Sequence, residues 1–349
     1  MKLLNSVNKL LFSYRRKIGS HDLGNVLVVS NTGFGDTLLS SPAIKTLRQS
    51  FLNQKIIFLL NKKYSVLFAK YKYVDSIWEY TGSYTNLFIL IFRCRINKIN
   101  TIILLHSNGP EDIFLSLLSG AKNILKWTDN VNHPYKKLFL NQIVKKEQHN
   151  IEKKIDLIRF FNPKIIDTTM SISDFFYEKN ENNIFTTNKK IIGIQLGAQD
   201  VYKIWPVENV ILLSRYLISK NYYLVFFGAT KIENKMMDEV ERSIDSISIV
   251  SLVCKTKIIE LPSILKQVNL LVTNDTGILH LAIAMRVRSL SLFSPTSNKE
   301  FGAYQDYELH HSIQKNGSFV NNVSKKKRTQ DGMKLINVDE VISMIEEII

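Results

Sequence analysis

Short runs of β-branched and other apolar residues alternate along this chain with segments whose apolar positions recur every three or four residues. Parallel sheets have this signature, because each strand is buried on both faces and returns to the sheet through a helix. In the first half, strands are predicted at Asn25–Ser30, Lys55–Leu60 and Asn100–Leu105. A helix is predicted from Asp36 to about Phe51, with Leu38, Leu39, Ala43 and Leu47 on its apolar face; Pro42 inside it must cost a hydrogen bond or kink it. In the second half, strands are predicted at Ile191–Leu196, Tyr223–Phe227, Ile247–Val250, Leu270–Thr273 and Ser289–Phe293. Helices fall between them at Val207–Lys220, Ile232–Ile244, Ile258–Gln267 and Ile278–Met285. At 349 residues the chain has room for two such domains. A polar stretch near Glu178–Lys190 reads as the linker. The expected division is an extension over 1–22, an N-terminal domain over 23–178, a linker over 179–190, a C-terminal domain over 191–335 and a closing helix over 336–349.

Charge is distributed unevenly. The net charge is +15, and residues 1–180 hold 26 basic and 13 acidic side chains. A positive half favours an anionic partner: nucleic acid, a membrane surface or an acidic substrate. Residues 1–22 carry Leu3, Leu4, Val7, Leu10, Leu11 and Phe12 at helical spacing, followed by Tyr14-Arg15-Arg16-Lys17. This is the pattern of an interfacial helix or of a helix packed on the first domain, and its charge follows the apolar part, unlike a secretory signal. Two cysteines, Cys94 and Cys254, exclude a disulfide scaffold and a four-cysteine zinc site, and fit a reducing compartment. No apolar run reaches the roughly 18 residues of a membrane-spanning helix; Leu87–Phe92 is cut short by Arg93 and Arg95. Lys315–Gly332, with Lys325-Lys326-Lys327-Arg328, reads as a mobile loop.

Three loops follow predicted strands at their carboxyl ends, where open α/β sheets bind ligands. In Asn31-Thr32-Gly33-Phe34-Gly35-Asp36, Gly33 and Gly35 permit a tight strand-to-helix turn. The third glycine of a dinucleotide fingerprint and the Gly-Lys-Ser/Thr of a Walker loop are both lacking. Asp36 is either a helix cap or a general base. In Leu196–Pro206, Lys203 precedes a helix opened by Pro206. In Thr273-Asn274-Asp275-Thr276-Gly277-Ile278-Leu279-His280, a strand ends in small polar residues and a helix starts at about Gly277, so its free amides form an anion site. His280 lies one turn further on.

Taken in order, Gly-x-Gly-Asp, Lys-x-Trp-Pro, Asn-Asp-x-Gly-x-x-His and Ser294-Pro295-Thr296 resemble glycosyltransferase family nine, the bacterial lipopolysaccharide heptosyltransferase family. The likeness is strongest over Val26–Arg48 and Ile191–Tyr304 and weak between about 80 and 185. Arg286-Val287-Arg288 and Phe293-Ser294 depart from the family pattern. The resemblance implies an α/β GT-B fold, two Rossmann-like domains facing each other across a cleft, with acceptor mainly on the first and donor on the second. It implies inverting transfer of heptose from ADP-heptose to the lipopolysaccharide inner core. By the same resemblance Asp36 is the catalytic base, in a loop shaped by Gly33 and Gly35. Lys203 binds the donor diphosphate, Asp275 the sugar hydroxyls, Thr276 and Gly277 contact the diphosphate through their backbone, and His280 is the motif histidine. No cofactor beyond the nucleotide sugar and no dedicated metal site is expected; the adjacent His310-His311 match no metal motif. The expected partners are a nucleotide sugar, an anionic glycolipid acceptor and, peripherally, the inner-leaflet membrane surface, in the cytoplasm. Two other readings stay open: a different nucleotide sugar serving O-antigen or surface polysaccharide, and a nucleic-acid-binding protein using the basic half. The chain lacks the basic, aromatic-interleaved motif of a known nucleic-acid module, so no nucleic acid is expected.

Overall fold

The structure, a computed structural model, describes residues 22–106, 110–127, 148–178, 184–316 and 328–349. It divides into two compact units, Met1–Thr168 and Thr169–Ile349. The expected extension over 1–22 falls almost wholly outside the described residues, as do 179–183 of the expected linker and 317–327 of the expected mobile loop.

The first unit runs β1 (Asn25–Ser30), α1 (Phe34–Leu38), α2 (Ser41–Ser50), β2 (Ile56–Asn61), β3 (Ser76–Tyr80), α3 (Tyr84–Ile96), β4 (Ile99–His106), α4 (Pro110–Leu118), β5 (Asn123–Lys126) and α5 (Asn150–Arg159). Its five strands are all parallel, in the order β3-β2-β1-β4-β5. The order reverses between β1 and β4, and register pairs Ser30 with His106 across that boundary. Leu27 and Val29 of β1, Ile57 and Leu59 of β2 and Ile102 and Leu104 of β4 pack with Leu87, Leu90 and Cys94 of α3. Burial on both faces explains why these strands read as continuous apolar runs.

The single helix expected from Asp36 to Phe51 is two helices. The chain breaks at Leu39-Ser40, and Ser41 begins α2 with Pro42 in its first turn. There the missing proline N–H costs nothing, since first-turn amides have no intrahelical acceptor. The break leaves Asp36 on a one-turn helix directly above β1.

The second unit runs α6 (Phe175–Glu178), β6 (Ile191–Gln195), α7 (Val207–Ser219), β7 (Tyr223–Phe227), α8 (Lys231–Ser243), β8 (Ile249–Ser251), α9 (Leu261–Leu265), β9 (Leu270–Asn274), α10 (Gly277–Ala284), β10 (Ser289–Phe293), α11 (Asn298–Phe301), β11 (His310–Gln314), α12 (Asp331–Lys334) and α13 (Val338–Ile348). Six parallel strands lie in the order β11-β10-β9-β6-β7-β8, with the reversal between β9 and β6. Alternate residues of β6, β7, β9 and β10 pack against α7, α8 and α13; Val341 and Ile345 of α13 are buried in that cluster. The last helix is thus part of the core of the second unit.

Candidate functional site

Each sheet carries polar chemistry at the place where its strand order reverses, the position at which open α/β sheets bind ligands. In the first unit this is the pair of loops following β1 and β4. Asp36 is the third residue of α1. The cap position is Gly33, so the capping alternative for Asp36 does not apply. Its backbone carbonyl accepts hydrogen bonds from Ser40 Oγ at 2.7 Å and Ser30 Oγ at 3.4 Å. Its carboxylate lies over Gly33, where a Cβ would stand 2.8 Å from Oδ2. Close approach of the carboxylate favours glycine at 33, whose φ of −76° any residue could adopt. Gly35 lies in α1 next to Asp36.

Sequence reasoning missed the groups around this carboxylate. His106, the last residue of β4, places Nε2 3.3 Å from Asp36 Oδ1. Thr32 Oγ1 is hydrogen-bonded to the other ring nitrogen, Nδ1. Burial, and then the neighbouring Lys154 ammonium, push the imidazole down to about 4, against the opposite pull of Asp36. The ring is therefore neutral at pH 7. With the Thr32 hydroxyl donating to Nδ1, its one N–H sits on Nε2 and faces the carboxylate. Lys154 of α5 is fully buried; its Nζ donates to Leu105 O at 3.3 Å. Burial pushes this amine down to about 8, with Asp36 holding it up and Lys153 lowering it further. Asp36 thus faces one neutral ring and one buried cation. Behind it, Asn31 Nδ2 donates to Asp112 Oδ1 at 2.7 Å, and Phe34 stacks on Tyr64 at 5.2 Å.

His106 gives the unit a pH signature. Its pKa falls from 6.5 unfolded to about 4 folded, so the unfolded chain binds more protons between those values. The stabilisation is fully present above pH 6.5 and is lost as pH falls through 4. Thermal melts of the wild type should therefore drop steeply over that window, and His106→Gln should flatten the drop. Parallel pH profiles for the two proteins would contradict the buried neutral ring.

In the second unit the reversal joins the loops after β6 and β9. Lys203 ends a short 3-10 turn, Val201–Lys203, and its Nζ is 2.6 Å from Asp275 Oδ2. Asp275 is nearly buried, its side chain 6% exposed, and the same oxygen accepts from Thr296 Oγ1 at 2.7 Å. The lysine and aspartate loops, far apart in sequence, form one cluster with the loop after β10. Asn274 holds them in register: its Oδ1 accepts from Trp205 N at 3.2 Å and its Nδ2 donates to Gly197 O at 3.3 Å. The Trp205 indole donates to Ile336 O at 3.0 Å, tying the same loop to the C-terminal segment. A side chain at Gly197 would collide with Glu233, which is buried and accepts from Ala229 N, Thr230 N and Gln195 Nε2.

α10 begins at Gly277 with Thr276 at its cap position, and no side chain caps it. Its first amides thus have no side-chain cap, as at helix starts that can meet an anion. His280 is buried in the first turns of α10, 3% exposed. Among the described residues, no group of three or more His, Cys, Asp or Glu is placed to hold a metal ion, and no helix is long and apolar enough to cross a membrane.

Two parallel sheets, of five and six strands with helices, are the GT-B fold. The family model for glycosyltransferase family 9 (heptosyltransferase) matches residues 114–332, more than half of the chain, and the chain belongs to that family. It is a glycosyltransferase. Among curated relatives it is similar to lipooligosaccharide heptosyltransferase 2 of Campylobacter jejuni, 24% identical over 286 residues that cover 79% of this chain and 82% of the relative. It is also similar to lipopolysaccharide heptosyltransferase 3 of Escherichia coli, 22% identical over 311 residues, covering 82% and 90%. Among solved structures, the E. coli ADP-heptose lipopolysaccharide heptosyltransferase II superposes with a TM-score of 0.73 at 17% identity, covering 93% of this chain and 98% of that one.

Proposed function

We propose that this enzyme transfers a heptose from ADP-heptose to the inner core of lipopolysaccharide, with inversion at the anomeric carbon. The reading rests chiefly on one observation: a carboxylate held by His106 at the reversal point of one sheet, and a lysine beside a helix start with no side-chain cap at that of the other. The names of the relatives supply the sugar and the acceptor class.

In this reading Asp36 takes the proton of an acceptor hydroxyl as its oxygen attacks the anomeric carbon, on the side opposite the diphosphate. The new C–O bond forms as the bond to the diphosphate breaks, through an oxocarbenium-like transition state. His106, through Nε2, orients the carboxylate, and the buried Lys154 ammonium lies on the same side of the sheet reversal. Lys203 and the amides of Thr276 and Gly277 gather the charge that develops on the departing ADP. Asp275, with Thr296, is placed to accept from sugar hydroxyls. His280, being buried, acts by shaping the first turns of α10. The acceptor is an anionic glycolipid and the enzyme works peripherally at the cytoplasmic face of the inner membrane. The net positive charge of residues 1–180 suits such an acceptor.

A thermal-shift screen of ADP-, GDP- and UDP-sugars tests the donor. ADP-heptose or ADP should raise the melting temperature, by about 2.7 kcal/mol of linkage at a hundredfold excess over Kd. Protection by a GDP- or UDP-sugar alone would move the enzyme to another surface polysaccharide. Salt-sensitive binding of nucleic acid with no nucleotide-sugar protection would overturn the transferase site altogether.

A further inference from the structure

We propose that the outward face of α3 is a docking surface for an anionic lipid bilayer. A helix on the surface of a soluble domain turns its apolar stripe inward and a polar one to water. α3 departs from that rule. Leu87, Leu90 and Cys94 fill the core, yet Tyr84, Phe88, Ile89, Phe92 and Ile96 stand on the opposite side, all between 56% and 79% exposed. Tyr84, Phe88, Phe92 and Ile96 recur at four-residue steps, so they form one continuous slanting stripe. Contiguous exposed apolar area of this kind marks a binding surface.

The surroundings select the occupant. From Tyr80 to Pro110 the chain holds no acidic residue. The carboxyl end of α3 carries Arg93 and Arg95, followed by Lys98, all exposed. Lys55 Nζ reaches Asn97 Oδ1 at 2.8 Å, and Lys122, also exposed, donates its backbone N–H to Asn100 O at 2.9 Å. Near this end Asp75 is paired with Arg48, and the Asp22 carbonyl takes the Asn100 side-chain amide; exposed Glu79 lies at the other end of α3, where its carbonyl accepts from Asn86 Nδ2. The result is an aromatic and aliphatic stripe with a collar of five cations at one end. Such a surface inserts its rings at the acyl boundary while long basic side chains reach the headgroup phosphates. A second copy of the chain would bring the same positive unit against this one, which like charge opposes. The proposal extends the membrane-side reading of the function, from which it draws its biological sense; its physical claim stands on the α3 face and the cations around its end.

Flotation of the full-length protein with phosphatidylcholine vesicles, with and without phosphatidylglycerol, tests it. Binding should require phosphatidylglycerol and weaken as salt rises. Phe88→Ser with Phe92→Ser should lower binding at least about tenfold, with the melting temperature and the ADP-induced shift unchanged. Lys98→Gln with Lys122→Gln should weaken binding to the anionic vesicles. Deletion of residues 1–21 should leave binding in place. The proposal is overturned if the wild type ignores anionic vesicles or if the Phe88/Phe92 variant binds them normally. It is equally overturned if binding vanishes on deletion of 1–21, or if the variant only dissociates a dimer seen by light scattering. An intact ADP shift in a protein that fails to float sinks this surface and leaves the donor site standing.

Discussion

Asp36→Asn lowers kcat by at least about 10²-fold, the usual scale for a positioned base, and leaves the affinity for ADP where it was. Asparagine keeps the volume of the side chain, and the hydroxyls of Ser30 and Ser40 hold the backbone at 36, so the loop keeps its shape. The variant loses the ability to accept a proton. It also removes the anion facing buried Lys154, whose protonated form loses support, so a modest fall in melting temperature accompanies the change at neutral pH and fades as pH rises past about 8, where the amine is neutral in both proteins. Single-turnover rates beside calorimetric ADP titrations separate chemistry from binding. Near-normal turnover in Asp36→Asn removes this residue from the mechanism.

Lys203→Ala weakens ADP binding by about one to two orders of magnitude, the equivalent of a charge-assisted contact worth about 1.5–3 kcal/mol. It has a second effect. Asp275 is left nearly buried, with Thr296 but without its cation, and stranding a buried charge costs up to about 3–5 kcal/mol, less here because the lysine is partly open to solvent. A lower melting temperature alone would not show a donor role. Lys203→Ala combined with Asp275→Asn removes the stranded charge, so stability should recover while ADP affinity stays low. An unchanged calorimetric affinity for ADP in both variants contradicts the assignment of Lys203 to the diphosphate.

The strand-loop-helix junctions were legible because their chemistry is local. Small residues mark the turn after β1, small polar residues end β9, and uninterrupted apolar runs mark strands buried on both faces. Edge strands β3 and β5 escaped. Glu79 or Lys126 interrupts their apolar pattern; pairing with β2 and β4 rather than composition holds them in the sheet. Pro42 was read as damage to one helix, whereas it starts another. The spatial grouping of the site was least legible. His106 carries no motif, and its importance comes from strand order, which places β4 beside β1. Lys154 did leave a trace: with Ile151, Ile155 and Ile158 it occupies the buried face of α5, where a lysine is out of place without an anion to meet. Likewise the motifs named Lys203 and Asp275 separately, and only the adjacency of β6 and β9 shows them as an ion pair.

Under the proposed function, that ion pair makes donor capture an exchange. Lys203 already has an anion 2.6 Å away, so an arriving ligand must replace or outweigh a carboxylate instead of filling an empty positive hole. Chloride or a singly charged phosphate ester gains little by the swap, whereas a diphosphate brings enough charge to draw the ammonium across. In the proposed reading the pair is thereby kept insensitive to small anions, and Asp275, once released by the lysine, is available to the sugar.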